Sequence, residues 1–203
     1  ISNLKPIDSQ EFKRQNNLDS REIIALLPGS RKQEIRKMLG LMLSVTSHFK
    51  DYQFVIAGAP SLPKEFYDEF LTDDVHFVSN KTYDLLRSSK AALVTSGTAT
   101  LETALLKIPE VVCYRGSWVS YQIAKRLVKH IKFISLVNLI MNKEVVKELI
   151  QNDLTTGNIK SELEKILNPE QREKILSEYE KLNHLLGGKG ASERAAEIIT
   201  KLL

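Results

Sequence analysis

Seven consecutive residues, Ser96-Gly97-Thr98-Ala99-Thr100-Leu101-Glu102, bring together groups suited to a ligand that carries both phosphate and hydroxyls. They follow the apolar run 91–94 and open a helical pattern at Leu101, Leu105 and Leu106, so the expected order is strand, small-residue turn, helix. In an open α/β sheet, ligands collect at the carboxyl ends of strands and at the helix starts beyond them. The unpaired N–H groups of such a start attract anions, and Gly97 has no Cβ to hold a phosphate away. Glu102 lies about one turn inside the helix, roughly 5 Å along its axis. A carboxylate there repels phosphate but accepts hydrogen bonds from neutral hydroxyls such as those of a ribose. The structural alternative is that Ser96 and Thr98 cap the helix and Glu102 complements its dipole.

A second cluster, Gly29-Ser30-Arg31, follows the apolar run 22–27 and the breaker Pro28. Beyond it Ile35, Met38, Leu39, Met42 and Val45 recur at helical spacing, and Ser30 with Gln33 has the spacing of a capping box. Gly29, the Ser30 hydroxyl and the Arg31 guanidinium are thereby expected at the carboxyl end of the first strand. Arg31 is either a bidentate phosphate fork or a surface arginine. The Gly-Lys-Ser/Thr of a P-loop is absent, which removes a nucleoside triphosphatase reading.

These clusters need a frame. Short strands are expected at 53–57, 75–78, 91–94 and 109–114, alternating with helices at 62–70 and 82–89. That alternation predicts an α/β fold, a Rossmann-like parallel sheet with helices on both faces. Right-handed crossovers put every strand's carboxyl end on one rim, which adds Tyr114 and Arg115 to it. Further on, Trp118, Ile123, Leu127, Val128 and Ile131 form an apolar face opposite Lys125, Arg126, Lys129 and Lys132. Such a basic amphipathic helix either lies on an anionic membrane surface or packs on its own domain. Asn138 interrupts the apolar run 135–140 and is either a bridge between loops or a ligand contact at the rim. Helices are expected at 145–150, 159–167, 169–186 and 191–203. The implied division is a linker at 1–20, the sheet domain at 21–155 and a helical C-terminal tail at 156–203.

The totals narrow the classes. The chain has 203 residues, 42% hydrophobic, which is enough for one good core. A net charge of +4 favours anionic ligands without approaching the density of a nucleic-acid arm, and no aromatic and basic residues interleave as RNA binding needs. The single Cys113 excludes an internal disulfide, and His48, His76, His130 and His184 lack ligand spacing, so no structural metal is expected and a cytoplasmic setting is. The chain begins at Ile1 within what reads as a linker, which suggests a fragment.

Several stretches in order resemble lipid-A-disaccharide synthase. They are 26–31 with Glu34 and Ile35, the run 96–102, then 111–115, 124–129, 136–140, 145–151 and 190–196. Val137 departs from the pattern, since that family usually places a proline before the asparagine. The resemblance implies an inverting glycosyltransferase of the two-Rossmann-domain (GT-B) type that needs no metal or other cofactor. It implies transfer of 2,3-diacylglucosamine from its UDP conjugate to 2,3-diacylglucosamine 1-phosphate, in lipid A synthesis at the inner membrane. This chain would be the carboxyl-terminal, donor-binding half, with the general base in an amino-terminal half and no catalytic residue of its own. The implied donor contacts are Gly29, Ser30, Arg31, the run Ser96 to Thr100, Glu102, Tyr114, Arg115 and Asn138. The tail could also join two subunits. The rival readings are another UDP-sugar enzyme, such as a peptidoglycan glycosyltransferase or an epimerase, and a non-catalytic helical interaction module.

Overall fold

The computed structural model describes residues 7–95, 97–116 and 132–187, and Thr200. Six strands, β1 (Glu22–Leu27), β2 (Tyr52–Gly58), β3 (Val75–Ser79), β4 (Ser89–Thr95), β5 (Glu110–Tyr114) and β6 (Lys147–Ile150), form one sheet in the order β3-β2-β1-β4-β5-β6. All the pairings are parallel. Consecutive strands run outward from β1 in one direction and then, from β4, in the other. The reversal leaves a gap between the crossover helices at the β1/β4 carboxyl ends, where ligands enter folds of this kind.

The central strands carry apolar runs at 23–27, 54–57 and 91–94 because both of their faces are covered. Side chains alternate along them. Ile24, Leu26, Phe54, Ile56, Ala91 and Leu93 join one core, while Ile23, Ala25, Leu27, Val55, Ala57, Ala92 and Val94 join the other. The second core is closed by Phe12 of α1 (Ser9–Gln15) and by Leu85 and Leu86 of α3 (Thr82–Arg87). The first is closed by α2 (Lys32–Met42), whose Ile35, Met38, Leu39 and Met42 are buried at the spacing of one helical face. The expected capping box does not form. Arg31 takes the N-cap position and no side chain caps the helix, which begins instead on the Ile35 N–H to Arg31 carbonyl bond of 2.9 Å.

The helix expected over 62–70 is replaced by two 3-10 turns, Lys64–Phe66 and Asp68–Phe70. Tyr67 explains the departure. It is fully buried, and its hydroxyl accepts the Ala59 N–H at 2.9 Å, which ties the turn down under the rim.

The helix expected over 145–150 is a strand, β6, paired with β5 in the register Val111↔Lys147 to Tyr114↔Ile150. Asn138, on the short α5 (Leu136–Met141), is the cause. Its side-chain oxygen accepts the N–H groups of Val145 at 2.7 Å and Val146 at 3.0 Å, drawing two β-branched residues into extended backbone beside an open sheet edge.

The helices α6 (Thr156–Leu167) and α7 (Pro169–Leu185) follow, the second with Asn168 as its N-cap and Pro169 in its first turn. They are not a loose appendage. Leu163, Ile166, Ile175, Tyr179 and Leu182 are buried in the same core as the sheet. The amphipathic stretch 118–131 and most of the last expected helix lie outside the described residues. Among the described residues, no helix is long and apolar enough to cross a membrane.

Candidate functional site

Two loops frame the β1/β4 switch point. After β1, Gly29 adopts φ +105°, a conformation that side-chain-bearing residues resist, and turns the chain into α2. After β4, Gly97 has φ +149° and is the N-cap of α4 (Thr98–Leu105). Nothing lies within 4 Å of where a Cβ on Gly97 would be, so the backbone faces open space. Among the described residues no side chain caps α4, which leaves its first N–H groups without a side-chain acceptor there.

Between the loops lies a crevice of about 400 Å³. Its lining includes Gly29, Ser30, Gly97, Thr98, Ala99 and Glu102, six of the positions singled out from sequence. Thr95 also lines it, and the Thr95 hydroxyl is buried without a hydrogen-bond partner. A second groove, of about 440 Å³, is lined by residues 80–84 and Glu102 and shares Thr82 and Glu102 with the first. Tyr83 stands beside Glu102. Burial and then the Glu102 charge push the phenol upward. Among the described residues no Lys or Arg lines the main crevice; Lys81, in the second groove, donates to the Asn16 side-chain oxygen at 2.9 Å.

The other expected contacts lie elsewhere. Arg31 is exposed and does not line the crevice. Thr100 is fully buried, with its hydroxyl turned back onto the Gly97 carbonyl at 2.9 Å. Arg115 spends its guanidinium on backbone, donating to the carbonyls of Gln151 at 2.9 Å and Leu154 at 2.7 Å, which holds the loop after β6. Tyr114, at the end of β5, is one strand removed from the switch point and outside the crevice lining. Asn138 is fully buried. Its amide donates to the Val146 carbonyl and to Glu148, both at 2.8 Å, so it is the bridge between loops and not a rim contact. Ser96 lies outside the described residues.

Several lining residues were not anticipated as site residues: Glu34, the stretch 57–60, Thr82 and Thr95. The Gly58-Ala59-Pro60 breaker marks the end of β2, but only the strand order places that end next to β1. Glu34 had a readable signal, a carboxylate in the first turn of the helix that follows Gly29.

A family model described as lipid-A-disaccharide synthetase matches residues 2–202. The chain belongs to that family. The lipid-A-disaccharide synthase of Syntrophus aciditrophicus (strain SB) is 39% identical over 189 residues, covering 89% of this chain and 49% of the relative. The enzyme of Anaeromyxobacter dehalogenans (strain 2CP-1 / ATCC BAA-258) is 37% identical over 187 residues, covering 88% and 49%. The chain therefore spans about half the length of these curated relatives. Among solved structures, the glycosyltransferase SnogD from Streptomyces nogalater superimposes with a TM-score of 0.57 at 20% identity, covering 89% of this chain and 43% of that one. At that identity the likeness is one of fold, the GT-B glycosyltransferase fold.

Proposed function

We propose that this chain is the donor-binding half of a lipid-A-disaccharide synthase, and that the β1/β4 crevice receives the UDP portion of UDP-2,3-diacylglucosamine. One observation carries the reading: in a chain of this family, Gly97 at the α4 N-terminus and Glu102 line a single crevice at the sheet's switch point.

The reaction breaks the bond from the sugar's anomeric carbon to the diphosphate and forms one to the acceptor hydroxyl, with inversion. Negative charge gathers on the departing UDP. The N–H groups of Gly97, Thr98 and Ala99 stabilise that charge as it develops, with the Thr98 hydroxyl beside them. Glu102 accepts hydrogen bonds from the ribose, with Tyr83 beside its carboxylate. Gly29 and Ser30 form the opposite lip, and Arg31 swings from solvent to meet the diphosphate.

The acceptor is 2,3-diacylglucosamine 1-phosphate, and the products are a β-1,6-linked disaccharide phosphate and UDP. The proton of the acceptor hydroxyl passes to a base in the amino-terminal half of the complete protein. The setting is the cytoplasmic face of the inner membrane, whose anionic lipid suits the basic sequence near Lys125. The test is to supply the complete protein with both lipids. Acceptor-dependent release of UDP with formation of the disaccharide phosphate is expected. Conversion of a UDP-sugar without any acceptor would overturn the reading in favour of an epimerase.

A further inference from the structure

We infer that Glu34 is the carboxylate that holds the sugar half of the donor, accepting hydrogen bonds from hydroxyl or amide N–H groups of a hexosamine. The inference rests on the donor-binding reading above and adds a contact on the side of the crevice away from the ribose.

The crevice has a direction. At one end it runs through Thr82 and Glu102 into the second groove, lined by residues 80–84. Glu34, Gly29 and Ser30 line the crevice but not that groove. A nucleotide with its ribose on Glu102 and its phosphates at the α4 N-terminus therefore leaves its sugar on the side of Glu34.

The chemistry of Glu34 fits a neutral, donor-rich group. It sits in the first turn of α2 and is only partly buried. Among the described residues its carboxylate makes no hydrogen bond or ion pair, and no Lys or Arg lines the crevice to neutralise it. Such a carboxylate repels a diphosphate and accepts from hydroxyls or amides. Its position is also set by the backbone. A Cβ on Gly29 would lie 2.6 Å from the Glu34 Oε2 atom, so the carboxylate reaches into the crevice only over a residue without a side chain. The buried, unpartnered hydroxyl of Thr95 in the same lining shows that the crevice holds polar valences which the protein does not itself satisfy.

The experiment is a calorimetric titration of the chain, and of its Glu34→Gln and Glu34→Ala variants, with UDP and with UDP-N-acetylglucosamine. Thermal melts establish that each variant is folded. Glu34→Ala is expected to weaken UDP-N-acetylglucosamine by about tenfold or more, the loss of one charge-assisted hydrogen bond. Affinity for UDP should hold or rise, and Glu34→Gln should fall between. A purely structural role would lower both affinities together, and that result, or no change in either, would overturn the inference. A folded wild-type chain that bound neither ligand would bring down the donor-binding reading itself.

Discussion

Asn138 and Glu148 are joined side chain to side chain at 2.8 Å, and the pair fixes where the sheet ends. The same Glu148 carboxylate accepts the Ser135 N–H at 2.9 Å and the Ser135 hydroxyl at 2.8 Å, while Asn138 holds the backbone entering β6. One amide and one carboxylate thus fasten α5 to the last strand.

Asn138→Ala would strand the N–H groups of Val145 and Val146 and the Val146 carbonyl, while Glu148 would keep its two bonds from Ser135. Each stranded group costs about 1–3 kcal/mol where water cannot reach it. With partial rehydration at the sheet edge, chemical denaturation should register a loss of about 2–4 kcal/mol. The affinity for UDP should change little, because Asn138 is not in the crevice lining.

Gly29→Ala tests the lip of the crevice that Gly29 and Ser30 form. The φ of +105° resists any side chain, and the new methyl would meet the Glu34 carboxylate. Backbone strain of this kind costs about 1–3 kcal/mol. Melting temperature should fall, and UDP-N-acetylglucosamine affinity should fall further than the affinity for UDP as Glu34 is pushed aside.

Glu110 opens β5, fully buried, with neither carboxyl oxygen hydrogen-bonded. Burial raises it well above its ordinary 4.5, so it folds in the neutral form. The folded value lies above the unfolded one. Its contribution to stability is therefore complete below about 4.5 and is lost as pH rises toward the raised folded value. The slope of this loss is at most about 1.4 kcal/mol per pH unit. Denaturation of the wild type between pH 5 and 8 should show stability declining with pH, and Glu110→Gln should flatten that decline. An unchanged slope in the variant would mean that Glu110 does not titrate there.

The legible parts of the fold were those written locally. The apolar runs of β1, β2 and β4 and the one-sided spacing of α2 declare their elements because burial imposes their periods. Residues 145–150 misled because their spacing suits a helix, while the force that extends them comes from Asn138, seven residues or more away. Residues 62–70 misled in the same way, since the Tyr67 hydroxyl answers to Ala59. In the site, Gly29, Gly97 and Glu102 could be read from their own loops. Gly58 and Pro60 could not, because they enter only through the placement of β2 beside β1, and Thr82 could not, because it enters through the α3 crossover from β3 to β4. Arg115 was placed on the right rim, but its guanidinium is occupied by the carbonyls after β6, whose strand was itself unforeseen.

The proposed nucleotide site is the crevice that Gly97 and Glu102 line. Its most direct test is titration of UDP into the chain and into a folded Glu102→Ala variant, with Gly97→Ala as a second perturbation at the phosphate end. Saturable binding by the wild type, weakened by about tenfold or more in Glu102→Ala, is the predicted result. Binding of equal strength in both would place the nucleotide elsewhere and contradict the account.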